Sequence, residues 1–380
     1  MATTSDFTGE RAFRLGDGGG AQAWIVPAVG NNCVAFQTPV GGRMAHLLST
    51  PASAEVLRSR PTFWGFPILS PYPGRHQTPF TWQGTPYAIT PNDRPGVAIH
   101  GIVAGAPWEV LEATEASLTC RFDSETFPNR AERWPWPFTL TTTHRLEDGA
   151  LRLELELENR ADVEVPHLLG LHPYFPVRFT PAGRLGDDGL PTAADLAGDD
   201  AAAWRRTCSV WIEGDELWEM KAGLATGTIH GLESGWDLRA PQAVGDLEAR
   251  LPPPPGRGPF GDDAAVGGPR LPVLLYGKRD ALRAGWTGDR SGEAGGVTNG
   301  VADLASGVRM TLESSLAFGS LALFCPGGQP FISLEPRSAV SDALTLMNDP
   351  RHPPTGVCAL APGARWKAWV RLSASELTEE

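Results

Sequence analysis

Two titratable residues in this chain stand directly before proline at the end of an apolar, strand-like run. They are His172 in Gly170-Leu171-His172-Pro173-Tyr174-Phe175-Pro176 and Glu335 in Phe331-Ile332-Ser333-Leu334-Glu335-Pro336-Arg337. A following proline disfavours helical backbone, so each side chain is expected to leave an extended strand end in a restricted geometry. The imidazole is the side chain whose unperturbed pKa lies nearest neutrality, and desolvation by apolar neighbours makes a carboxylate a stronger base. Held near one another, such groups suit proton transfer to and from a small molecule, with Tyr174 and Phe175 as flat apolar walls. The plainer readings are a turn histidine among core aromatics and a glutamate paired with Arg337.

Two further motifs place polar groups on tight turns. In Ile99-His100-Gly101 the glycine allows another group to approach the backbone beside an imidazole. The turn Ser70-Pro71-Tyr72-Pro73-Gly74-Arg75 presents Arg75, whose guanidinium is a fork donor suited to sugar hydroxyls or a carboxylate. A satisfied turn residue and a surface salt bridge are the respective alternatives.

The elements that must position these groups read as strands. In Leu151-Arg152-Leu153-Glu154-Leu155-Glu156-Leu157-Glu158 strict alternation puts four leucines on one face and leaves the other wet. Extended readings also fit 138–144, 209–213, 308–313 and 366–372. Helical patterns are short, at 52–58 and 342–347. With 44 Gly and 35 Pro punctuating the chain, this predicts an all-β fold of antiparallel sheets packed face to face, with few short helices. Segments 182–204, 252–270 and 287–300, rich in Gly, Pro, Asp or Ala, read as loop insertions in a single domain spanning 1–380.

Charge and composition narrow the partners. A formal net charge of −12 without a basic run argues against nucleic acid. The longest apolar run, 316–325, is broken by Gly319 and Ser320 and is too short to span a bilayer. The N-terminal residues lack a charged start followed by an apolar stretch, so a cytoplasmic protein is expected, as a monomer or homodimer. Five widely spaced cysteines without paired metal-ligand spacing fit reduced, buried thiols. Thirteen Trp against four Tyr supply flat faces for core filling or for stacking on sugar rings.

Taken in order, Pro71-Tyr72-Pro73-Gly74-Arg75, Ile99-His100-Gly101 with Trp108, Trp136-Pro137-Phe138, Asn159 leading to Pro166 and Gly170 to Phe175, and Ser333-Leu334-Glu335-Pro336 resemble the aldose 1-epimerase (galactose mutarotase-like) family. The resemblance covers about residues 60 to 350. It implies a large antiparallel β-supersandwich with an open cleft and no metal or organic cofactor. It also implies a mutarotase that interconverts the α and β anomers of a hexose or related aldose, with Glu335 as general base and His172 as general acid. His100 and Arg75 would hold sugar oxygens. Many relatives carry a Gly-aromatic-Asp-His segment whose aspartate grips sugar hydroxyls; this chain has no clear copy. Asp280, in Leu275-Tyr276-Gly277-Lys278-Arg279-Asp280, lies nearest its place, whereas Asp237 in Trp236-Asp237-Leu238-Arg239 resembles a neighbouring structural segment. Other readings are a sugar-binding or sensing protein without turnover, and a phosphosugar mutarotase using Arg75 and Arg337.

Overall fold

The computed structural model describes residues 3–181, 190–232, 236–250, 274–284 and 296–377. The alternating segment forms the strand Ala150–Asn159, in which Leu151, Leu153, Leu155 and Leu157 are buried. Each buried leucine contributes about 1.5–3 kcal/mol relative to exposure. These leucines pair in register with Leu372, Val370, Ala368 and Trp366 of the strand Arg365–Glu376. The opposite face carries exposed charge, with Arg365 bridging Glu156 at 2.9 Å and Glu158 at 3.0 Å. The period of two therefore sets both the core face and the wet face of this sheet.

That strand lies inside a nine-stranded antiparallel sheet running from Glu109–Ala113 through Phe138–Glu147, Ala150–Asn159, Arg365–Glu376, Val308–Ser315 and Gly296–Asp303 to Gln242–Ala243. A second, eight-stranded sheet runs from Leu224–His230 through Glu216–Lys221, Leu274–Gly277, Ser320–Phe324 and Phe331–Arg337 to Gly170–Leu171 and Ile68–Leu69, with Tyr174–Pro176 also paired to Phe331–Arg337. An N-terminal five-stranded sheet spans Thr3–Phe7 to Arg43–His46. One apolar cluster runs from Phe13 to Leu372 and joins leucines of the first large sheet to Leu275, Leu323 and Leu334 of the second. The all-β, antiparallel architecture expected from the sequence is the observed one, and none of the described helices exceeds seven residues. The two expected helices are Ala54–Ser59 and Ala343–Leu346.

Two of the segments read as loops differ. The described part of 182–204 carries the helices Ala193–Ala197 and Ala201–Thr207. Thr192 and Asp195 form a reciprocal capping box and Asp200 caps the second helix, so local side-chain acceptors stabilise turns that Gly and Asp content alone suggested were irregular. In 287–300, residues from 296 onward belong to the strand Gly296–Asp303. There Gly300 is needed because a Cβ would lie 2.1 Å from the ring of Trp211. Segment 252–270 lies outside the described residues.

Candidate active site

The eight-stranded sheet brings the two pre-proline residues together through its register. Gly170 pairs with Arg337 and Tyr174 with Ser333. Continuing in step between these pairs sets His172 opposite Glu335, and cross-strand partners share a face with Cβ atoms about 4.5–5.5 Å apart. The ladder is interrupted at His172-Pro173, where the freed backbone turns to another segment: His172 N–H donates to Pro67 O at 2.9 Å and Tyr174 N–H to Gly65 O at 2.9 Å. Proline is tolerated in such a gap because the backbone is satisfied elsewhere. The histidine thus leaves a broken strand, whereas Glu335 lies inside the intact strand Phe331–Arg337, paired with Ala322, and not at the strand end expected from its proline.

The resulting contacts are short and buried. His172 Nε2 lies 3.3 Å from Glu335 Oε1, with the side chains 6% and 1% exposed. Arg337 donates to Glu335 Oε2 at 2.6 Å and to Ser341 Oγ at 2.9 Å. The glutamate therefore has one oxygen held by a cation and the other turned to the imidazole. Room for the guanidinium comes from Gly74, where a Cβ would lie 2.6 Å from Arg337 Nη1; at Gly170 a Cβ would lie 2.5 Å from Pro73 Cβ and 3.2 Å from Arg337 Cγ. Tyr174 stacks on the imidazole, with centroids 4.6 Å apart and planes at 8°, and its hydroxyl lies 3.3 Å from Nε2. On the other edge, His172 Nδ1 lies 2.9 Å from Ser333 Oγ.

Burial pushes the His172 imidazole down to about 4; Glu335 pulls it back up and Arg337 lowers it further. Burial, with Glu335 second, drives the Tyr174 phenol well above its ordinary range, so it remains a neutral hydrogen-bonding group.

His100 joins this cluster, its ring centroid 5.3 Å from that of His172. It ends the strand Val97–Ile99, whose Ile99 pairs with Arg75 of Arg75–Gln77, and it adopts a left-handed φ of 61°. Gly74 N–H donates to His100 Nδ1 at 3.2 Å, so the neutral ring carries its proton on Nε2. Burial, then the neighbouring His172, Arg337, Arg75 and His76, hold the imidazole well below its usual value. The ring is therefore a neutral N–H donor. Gly101 follows at φ 66°, where a Cβ would lie 2.1 Å from Ser70 O, which explains the His-Gly order.

Arg75 sits at the rim. Its Nε donates to Asp93 Oδ2 at 3.1 Å, and a Cβ at Gly223 would lie 2.4 Å from its Nη1. Asp280 is not gathered here. It is exposed in the first turn of the helix Arg279–Ala284, after a strand two places removed from Phe331–Arg337. Asp237 bonds locally to Arg239 through both carboxylate oxygens. Sequence reasoning did not assign Ser333 or the Tyr174 hydroxyl a part in the pair, whereas the pairing of Glu335 with Arg337, its plainer reading, is present. Spacing of two along each strand, seen in Ser333/Glu335/Arg337 and His172/Tyr174, was the available signal.

Among the described residues no group of three or more His, Cys, Asp or Glu side chains is arranged to hold a metal ion, and no helix is long and apolar enough to cross a membrane. All five cysteines are buried and unpaired with one another.

Comparison with known proteins agrees with this architecture. The family model described as aldose 1-epimerase matches residues 12–195. A curated relative, the uncharacterized protein YihR of Escherichia coli, is 27% identical over 116 residues, covering 30% of this chain and 36% of that protein. The match thus spans about a third of the relative's length. The fold is that of a galactose mutarotase-like protein from Clostridium acetobutylicum, with a TM-score of 0.73 at 18% identity over 99% of this chain and 98% of that one. The GalM/aldose epimerase homologue from C. elegans gives a TM-score of 0.68 at 14% identity, over 99% of this chain and 100% of its own. Residues 12–195 thus match the aldose 1-epimerase family model, and the fold of the chain is that of galactose mutarotase-like proteins.

Proposed function

We propose that this protein is a mutarotase acting on an uncharged aldose, and the observation that carries the reading is the buried cross-strand contact of His172 Nε2 with Glu335 Oε1 at 3.3 Å. Glu335 takes the proton of the C1 hydroxyl as the C1–O1 bond becomes a carbonyl. The bond from C1 to the ring oxygen breaks, and His172 Nε2 delivers a proton to that oxygen. After rotation about C1–C2 the ring recloses on its other face, with both proton transfers reversed. No net proton is consumed. Each positioned proton transfer typically contributes about 10²- to 10⁴-fold.

The acid in this scheme is the imidazolium form of His172, so activity should fall as the ring loses that proton. Because burial drives the imidazolium toward lower pH, to about 4, the alkaline limb is expected below the range of an ordinary histidine. His100 Nε2–H serves as a donor to a sugar oxygen, and Arg75 acts from the rim.

An uncharged sugar is favoured over a phosphosugar because the candidate phosphate-binding cations are engaged: Arg337 with Glu335 and Arg75 with Asp93. A pure binding protein gains nothing from a buried acid/base pair. The test is polarimetry on freshly dissolved aldoses and aldose phosphates. Accelerated anomer exchange is the expected result; none across the panel overturns the proposal.

A further inference from the structure

We infer that Ser333 is a positioning residue that fixes the tautomer of His172, so that Nε2 and not Nδ1 is the nitrogen that exchanges protons with Glu335 and substrate. The inference builds on the acid/base reading above but has its own readout. A serine hydroxyl has one hydrogen to give. Ser333 Oγ gives it to Pro173 O at 2.7 Å, an oxygen that can only accept. Toward His172 Nδ1, at 2.9 Å, Oγ must therefore accept, and Nδ1 must carry the proton. In the neutral ring Nε2 is then a bare lone pair, placed to receive the Tyr174 hydroxyl at 3.3 Å and facing Glu335 Oε1 at 3.3 Å.

The register enforces the arrangement. Ser333 pairs with Tyr174 and sits two residues before Glu335 on the same strand face, so one strand addresses both edges of the imidazole. Pro173, which breaks the histidine's strand, supplies the carbonyl that uses up the hydroxyl's hydrogen. The charged and titratable groups facing the ring are Glu335 and Arg337 from the strand Phe331–Arg337, Tyr174 from Tyr174–Pro176, and His100 from the adjoining turn. Glu335 and Tyr174 contact Nε2, and Ser333 contacts Nδ1. Without the serine acceptor the two tautomers become closer in energy, and the Nε2–H form competes by donating to the carboxylate.

The experiment is nitrogen-15 NMR of the histidine-labelled full chain, with the His172 signals assigned by their loss in His172→Asn. The wild type should show Nδ1 protonated and Nε2 unprotonated near neutral pH. Ser333→Ala should populate the opposite tautomer, and Ser333→Thr, which keeps the hydroxyl, should retain the wild-type pattern. On sugars that the wild type turns over, Ser333→Ala should lower kcat at least tenfold with little change in KM. A wild-type spectrum with the proton on Nε2 overturns the inference, whether or not the alanine variant folds. An unchanged tautomer in Ser333→Ala also overturns it, as does loss of the wild-type pattern in the threonine variant, which would trace the effect to packing. If the protein turns over no sugar but the tautomers behave as stated, the mutarotase proposal fails and the tautomer-fixing role of Ser333 stands.

Discussion

Two sets of buried histidines in this molecule have the same depth and opposite surroundings. His144 and His167 lie inside the packed core, where burial alone pushes each down to about 3. His144 stands in register between Leu118 and Leu153, and His167 packs its ring 4.9 Å from Phe138. Among the described residues no side-chain or backbone group hydrogen bonds to either ring. His172 is equally enclosed, yet both its nitrogens are engaged and a carboxylate lies 3.3 Å away. Burial by itself therefore makes a silent, neutral imidazole. Chemistry requires a partner that can exchange a proton with it, and the sheet register supplies one at His172.

The contrast can be broken first at the carboxylate. Glu335→Gln removes both the base and the counter-charge of buried Arg337, so anomer exchange by the folded protein should fall by about 10²- to 10⁴-fold in polarimetric assays, on top of a stability loss of about 3–5 kcal/mol. Full activity in the fraction that stays folded would make Glu335 a packing residue like His144. Next in size is Arg337→Met, which leaves the Glu335 carboxylate buried without its cation. Removing one member of a buried pair costs about 3–5 kcal/mol, read from urea unfolding. An unchanged midpoint would mean that the clamp is not needed to hold the site.

The third test separates the two sets by pH. For His144 the folded-state value, about 3, lies below the unfolded 6.5, so the unfolded chain binds more protons between these limits. The stability this group contributes is complete above pH 6.5 and is lost as pH falls toward 3. His144→Leu should therefore flatten the stability curve by up to about 1.4 kcal/mol per pH unit in that window, and leave the activity profile where it was. A shifted activity profile would place His144 in the working site. Smallest is Tyr174→Phe, which removes one hydroxyl from Nε2 and should cost about 1 kcal/mol, or less than tenfold in kcat. Retained stacking, seen as an unchanged fold, would separate the hydroxyl's part from the ring's.

Much of this was legible in the chain because it depends on short-range pattern. Alternating leucines specify a half-buried strand at Ala150–Asn159 whatever its partner. Proline after His172 and Glu335 marks strand positions where the ladder is broken or restricted, and Gly101 marks a site with no room for a Cβ beside Ser70. The helices after 190 were missed because capping by Thr192, Asp195 and Asp200 is worth as much locally as the Gly and Asp content that suggested a loop. Asp280 was chosen by its place along the chain, and the fold puts it on an exposed helical turn.

The sequence by itself determined which titratable residues stand before proline in strand-like runs, which faces are apolar and where only glycine fits. Tertiary structure decided which of those residues meet. Whether His172 faces Glu335 depends on the register between two distant strands, fixed by Gly170 against Arg337 and Tyr174 against Ser333. A slip of one residue would turn every side chain on that strand to the other face, and the acid, its orienting serine and the carboxylate would part together.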